Sequence, residues 1–293
     1  MFFSIVIPFY NRMDYLGYAI ESVLNQNYSN WELILVNDSS SDKSVDVVKK
    51  YTDSRIKLIS LLVNGGNAKA RNEGWKAAVS DWVVYLDSDD WLESNYLENL
   101  YQSIQGYPET SFFWTGVRFI NSHSKILKEE FWQPRESLPG STFFDELRIG
   151  TNCGVAFKRE LLETHQGFDE SFKASVDREF FLRISKEEKG LGINKILVNC
   201  LIGDHESVRK NYASQSEAYN KLIALHRQEI QSTNSRKKWW YHKAMWLALY
   251  CGNTAIARAY LLAMNCPIKS LLLYSIFSLF PLGMAKDLHK KLA

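Results

Sequence analysis

Four short, continuous apolar runs, at 4–10 (SIVIPFY), 31–36 (WELILV), 56–62 (IKLISLL) and 82–86 (WVVYL), alternate with segments of helical spacing. Runs of this kind mark strands buried on both faces of a parallel sheet. Between the first two, Leu16, Ala19, Ile20, Val23 and Leu24 recur at the spacing of one helical face, and Leu97, Leu100, Tyr101 and Ile104 do the same after the fourth. Asp42 is placed to cap a helix in the second linker, and Gly65-Gly66 punctuates the third before a helix running through Ala78. The alternation predicts an α/β fold with a doubly wound, mostly parallel sheet.

The chain has 293 residues, 46% hydrophobic and 23% charged, which suffices for one large α/β domain and a smaller unit and excludes a disulfide miniprotein or a disordered tail. Cys153, Cys200, Cys251 and Cys266 stand far apart, with no CxxC and no clustered histidine, so neither a zinc site nor a disulfide framework is written here. Met1 leads directly into an apolar strand-like stretch without a basic flank or a small-residue cleavage site. The expectation is a protein kept in the reducing cytosol.

Charge is unevenly spread. Residues 1–204 carry 22 Lys+Arg against 29 Asp+Glu, a net of −7, whereas 205–293 carry 13 against 4, a net of +9. An acidic front with no nucleic-acid module argues against DNA or RNA as a partner. From 111 to 157 the pattern loosens into aromatic-rich runs expected to form mixed or antiparallel strands. Two helical pieces within 158–188 flank GFDESF, a strand returns at 193–202, and helices follow from about 213: one with Tyr219, Leu222, Ile223 and His226 on a face, then 243–250 and 255–264. The expected division is 1–210 and a basic helical region 211–293.

In open α/β sheets ligands bind beyond the carboxyl ends of the strands, so the residues there are the candidates for chemistry. They are Pro8, Tyr10 and Asn11; Asp38; the stretch from Asn64 to Arg71; and Asp87, Ser88, Asp89 and Asp90. Three carboxylates within four positions are costly to hold together without compensation, and a hard divalent ion such as Mg²⁺ or Mn²⁺ with a diphosphate would supply it. The alternative is a turn in which Asp89 or Asp90 caps the helix beginning near Ser94.

The strand SIVIPFYNR, the run LVNDSSSD, the segment NGGNAKARNEG and the run YLDSDDW resemble, in order and spacing, the nucleotide-binding half of family 2 glycosyltransferases with the GT-A fold. The resemblance implies that Pro8, Tyr10 and Asn11 line the base pocket and that Asp38 accepts a hydrogen bond from the base. Lys69, Arg71 and Ser88 then lie beside the nucleotide, Asp87 meets the ribose or the metal, and Asp89 ligates a Mn²⁺ or Mg²⁺ ion. Asp90 is a structural partner. The segment GFDESFKASVDREFFLRI resembles the family's catalytic stretch and puts Asp177 at the position of the base, with Asp169 and Glu179 as rival carboxylates. The family usually has glutamate before that aspartate, where this chain has Val176. DHESVRK places His205 where many members complete the metal or diphosphate site.

The implied activity is inverting transfer of a sugar from a nucleotide-diphosphate donor, expected to be UDP-linked, to a saccharide or lipid-linked acceptor, in surface polysaccharide synthesis. A noncatalytic nucleotide-sugar-binding scaffold is the rival; a nucleotidyltransferase would need a glycine pattern that PFYNRMD lacks. The tail joins RKKWWYHK (236–243) to the apolar run 271–285, which contains Pro281 and is too short to span about 30 Å of hydrocarbon as a regular helix. It would lie on the inner face of the cytoplasmic membrane through cations and Trp239, Trp240 and Tyr241, or pack as a bundle or homodimer interface.

Overall fold

The computed structural model describes residues 1–132, 135–139, 143–146, 153–202 and 211–264. Two compact units emerge: Met1–Phe172 with Val176–Asp204, and Lys173–Ser175 with His205–Ala293.

The first unit opens with β1 (Phe3–Phe9), α1 (Leu16–Leu24), β2 (Trp31–Asn37), α2 (Ser44–Val48), β3 (Ile56–Ser60), α3 (Asn67–Ala77) and β4 (Trp82–Tyr85). Every residue of β1, β2 and β4 is buried, as two-face burial requires. β3 departs from that expectation: Lys57, Leu58 and Ser60 are exposed, because β3 is the outermost strand and only one neighbour covers it. The short helix α2 departs from the expected cap: its N-cap position is Lys43, without a side-chain cap bond, and Asp42 lies one residue earlier, its Oδ1 accepting from Ser44 N at 2.9 Å. Helix α3 packs so closely on the sheet that a Cβ on Gly74 would come within 2.2 Å of Val6 and 3.3 Å of Val36. Glycine is therefore the residue this crossing accepts.

After β4 come β5 (Asp90–Leu92), α4 (Tyr96–Gly106), β6 (Phe112–Asn121), β7 (Ile126–Glu130), β8 (Glu136–Ser137), α5 (Phe143–Glu146), β9 (Val155–Lys158), α6 (Arg159–Thr164), α7 (Val176–Ile184) and β10 (Gly190–Ile202). The sheet runs β3-β2-β1-β4-β9-β6-β10-β5, with β7 beside β6 and β8 beside β10. Its β3-β2-β1-β4 portion is parallel; β9 then enters antiparallel to β4 and to β6. The aromatic-rich middle thus forms the mixed part of a doubly wound α/β sheet. Tyr85, Phe112, Phe157, Phe168, Phe180 and Phe181 interlock there, with ring centroids 4.5–6.0 Å apart. Such pairs contribute about 0.5–1.5 kcal/mol each beyond area burial, and they seat α7 on the sheet.

The second unit contains α8 (Tyr212–Leu225), α9 (Arg227–Gln231), α10 (Asn234–Tyr250) and α11 (Thr254–Ala263). Side chains of Asn211, Thr233 and Asn253 cap α8, α10 and α11 by accepting from backbone N–H groups. Helix α10 starts well before the expected 243 and takes in the basic-aromatic run. Trp240 and Tyr241 are buried, Trp240 tilted against Tyr219 at 5.6 Å and Tyr241 edge-to-face with Tyr260 at 5.2 Å, while Trp239 is 45% exposed. Among the described residues no helix is long and apolar enough to cross a membrane. The run 271–285 lies outside the described residues.

Candidate active site

The carboxyl ends of β1, β2, β3 and β4 are knitted by polar side chains. Pro8 is buried opposite Val36, and Tyr10, one residue beyond β1, is 44% exposed. Asn11 has φ 51° and ties its loop to the next: its Oδ1 accepts from Ser41 N at 2.9 Å and its N–H donates to Ser40 Oγ at 3.0 Å. Asp38 is 4% exposed, and its two oxygens accept from Gly65 N at 2.7 Å and Gly66 N at 2.8 Å. Each carboxylate oxygen keeps a further lone pair, so the group that orders this loop can still accept from a ligand.

Helix α3 pairs its cations with carboxylates, Lys69 at the surface and Arg71 in the interior. Lys69 Nζ lies 3.1 Å from Glu73 and 3.8 Å from Glu170. Arg71 is 2% exposed; its Nη2 donates to Asp87 Oδ1 at 2.8 Å and its Nη1 to Asp177 Oδ1 at 3.2 Å. Burial alone would pull the guanidinium down, yet Asp87 and Asp177 outweigh it and hold its pKa above the ordinary value. Asp177 sits in the first turn of α7, directly after Ser175–Val176, with Ser175 at φ 55°. The rivals are occupied: Glu179 pairs with Arg183 through two hydrogen bonds of 2.8 and 2.9 Å, and Asp169 accepts from Ser171 N and Oγ.

The four DSDD residues divide by environment. Asp87 and Asp89 have side chains 26% and 20% exposed, and Arg12 Nε lies 3.8 Å from Asp89 Oδ2. Ser88 is buried. Asp90 opens β5 instead of capping α4: it is 6% exposed and accepts from Leu201 N at 2.9 Å. Burial, reinforced by the charges of Asp89 and Asp87, pushes its carboxyl up to about 8. With Cys153 and Cys200 it forms a buried group whose polar atoms lie within 4.8 Å of one another. Asp87 and Asp89 offer part-exposed carboxylate oxygens, the donor type that a hard divalent cation takes. His205 lies outside the described residues.

Sequence reasoning missed Asn72. Its Nδ2 donates to Phe168 O and to Glu170 Oε1, and its Oδ1 accepts from Phe168 N, each at 2.9 Å. A polar residue following Arg71 in a helix of weak amphipathic pattern was the available signal, and it does not say which distant loop the amide will meet.

The parallel β3-β2-β1-β4 half, the antiparallel continuation and the acidic turn at the end of β4 form a sheet of the GT-A type. Residues 4–166 match Glycosyl transferase family 2, and the chain belongs to that family. It is 33% identical over 193 residues to the UDP-Glc:alpha-D-GlcNAc-diphosphoundecaprenol beta-1,3-glucosyltransferase WfgD of Escherichia coli, covering 65% of this chain and 72% of that one. It is 28% identical over 239 residues to the chondroitin synthase of Pasteurella multocida, covering 79% of this chain but only 24% of the length of that protein. Among solved structures, the mannosyltransferase PcManGT from Pyrobaculum calidifontis, in complex with GDP-Man and Mn²⁺, shares the fold with a TM-score of 0.59 at 17% identity, covering 94% of this chain and 82% of that one.

Proposed function

We propose that the chain transfers a sugar from a UDP-linked donor to a hydroxyl of a saccharide or lipid-linked saccharide, with inversion at the anomeric carbon, in the synthesis of a surface polysaccharide. The observation that carries the reading is the convergence of Asp87 and Asp177 on the single buried guanidinium of Arg71. A carboxylate on the donor side and one at a helix start on the acceptor side then share one corner of the sheet edge. The similarity to WfgD, a glucosyltransferase that takes UDP-Glc, supports UDP as the nucleotide.

In this reading Tyr10 lies on the base, Pro8 and Asn11 shape the pocket beneath it, and Asp38 accepts from the base while holding Gly65 and Gly66. Lys69, Ser88 and Asp87 bound the ribose and diphosphate. Asp87 and Asp89 would hold Mn²⁺ or Mg²⁺; His205, the further ligand that the family resemblance implies, lies outside the described residues. When bound, such an ion supplies neutralisation of charge on the departing diphosphate. Asp177 takes the proton from the acceptor hydroxyl as its oxygen attacks the anomeric carbon on the side opposite the leaving group, and a single displacement of this kind inverts that centre. General-base assistance is worth roughly 10²–10⁴ in rate. In this reading 1–210 is the catalytic domain and 211–293 a C-terminal region whose described part, 211–264, is helical. The protein acts at the cytoplasmic face of the membrane, where its lipid-linked acceptor resides.

The test is Asp177→Asn. The variant binds UDP as the parent does in calorimetry, and its turnover of the preferred donor from a nucleotide-sugar panel falls by roughly 10²–10⁴. Near-normal turnover in the variant eliminates Asp177 as the base, and a parent inert toward the whole panel favours a binding scaffold.

A further inference from the structure

Arg71 stands in the middle of α3 at 2% exposure, with its two terminal nitrogens divided between carboxylates that belong to different elements. A guanidinium is flat and its donors hold a fixed fork, so one group bonded to Asp87 and Asp177 sets the separation and the relative orientation of both. The arginine is itself held: Tyr85 Oη donates to the Arg71 carbonyl at 3.4 Å, and the Phe168 ring lies 5.6 Å from Cζ. Both terminal nitrogens already have carboxylate partners and the side chain is buried, which leaves a bound nucleotide little of the group to touch.

The next residue works on the same segment. Asn72 grips Phe168 by donating to its carbonyl and accepting from its N–H, and it also donates to Glu170. Phe168 in turn packs on Phe180 of α7 at 4.5 Å between centroids. Two successive side chains of α3 therefore fix the lead into α7 and the first turn of α7 itself.

We propose that Arg71 and Asn72 are positioning residues for Asp177: α3 registers the base against the donor-side carboxylate Asp87, and Arg71 acts through Asp177, not on the nucleotide. The inference rests on the assignment of Asp177 as base. Displacement of a reacting group by about 1 Å can cost roughly 100-fold in rate, which sets the size of the expected effect.

The test uses the full chain, UDP with Mn²⁺ for binding, and the nucleotide sugar that the parent turns over fastest. Arg71→Lys lowers kcat about 100-fold, while the loss of UDP affinity passed on through Asp87 stays under about tenfold, because an ammonium cannot bridge two carboxylates with fixed geometry. In the Asp177→Asn background the same replacement lowers kcat no further, since residues acting as a unit are not additive. Additive losses, a normal kcat, or a more than tenfold loss of UDP affinity with kcat retained would overturn the proposal. Should Arg71→Lys not fold, Asn72→Ala and its combination with Asp177→Asn carry the same comparison, with kcat about tenfold lower and UDP affinity kept. A parent that turns over no donor, or an Asp177→Asn variant at parental rate, refutes the underlying assignment; an active parent and a crippled Asp177→Asn variant beside a fully active Arg71→Lys refute the positioning role alone.

Discussion

Asn72 and Phe168 exchange two hydrogen bonds of 2.9 Å each across the lead into α7. Gly167 precedes that contact at φ 62°, and a Cβ there would lie 2.4 Å from Asn72 Oδ1 and 2.5 Å from Trp75 Nε1. Gly167→Ala combines a left-handed backbone with displacement of the amide that holds the loop. It is expected to destabilise the fold by about 2–4 kcal/mol and to lower turnover more than UDP affinity. Urea unfolding with an unchanged midpoint would count against the clamp.

Asp38 anchors the Gly65-Gly66 turn through both carboxylate oxygens. Asp38→Ala leaves two backbone donors without their partner and takes away the acceptor expected to meet the base. A stability loss of roughly 1–3 kcal/mol and a UDP affinity at least about tenfold weaker are expected. Calorimetry showing parental UDP affinity would move the base pocket elsewhere.

Asp89 is the part-exposed carboxylate of the turn that Arg12 approaches. With Asp89→Ala, the enhancement of UDP binding by Mn²⁺ should vanish while metal-free binding persists. Titrations of UDP with and without Mn²⁺ check this, and a variant that keeps its metal response places the ion on other ligands.

Glu32, buried in β2, receives hydrogen bonds from Ser4 Oγ at 2.6 Å, Val79 N at 2.9 Å and Lys57 Nζ at 2.7 Å. Burial by itself would raise its pKa, but the bonds from Lys57, Ser4 and Val79 outweigh it and the folded-state value lies below the ordinary one. The unfolded chain therefore binds the proton more readily. The stabilisation is complete above the unfolded value of about 4.3 and fades as pH falls through the folded one. Glu32→Gln should cost roughly 1–3 kcal/mol at neutral pH and converge on the parent only once the pH has fallen below the lowered folded-state pKa. A gap of constant size at both pH values would contradict the assignment.

The apolar runs announced β1, β2 and β4 with boundaries off by at most one residue, because continuous burial on both faces leaves few other uses for such sequences. Edge position is another matter. The composition of IKLIS says nothing of how many neighbours it will have, and β3 proved half-exposed. The strand β5 was hidden because three residues are too few to display a period, and Asp90 was read as a possible cap for the same reason.

The sequence alone determined the residue types at the strand ends, and hence the acidic turn, the exposed aromatic after β1 and the family of the chain. Those are properties of order and spacing along one dimension. Only the tertiary structure decided that Arg71 faces Asp87 and Asp177, 16 and 106 positions away, that Glu179 is consumed by Arg183, and that Asn72 holds Phe168. Which carboxylate a buried cation meets depends on how α3 and α7 pack over one sheet, and that packing is set by side-chain volumes summed across many distant residues.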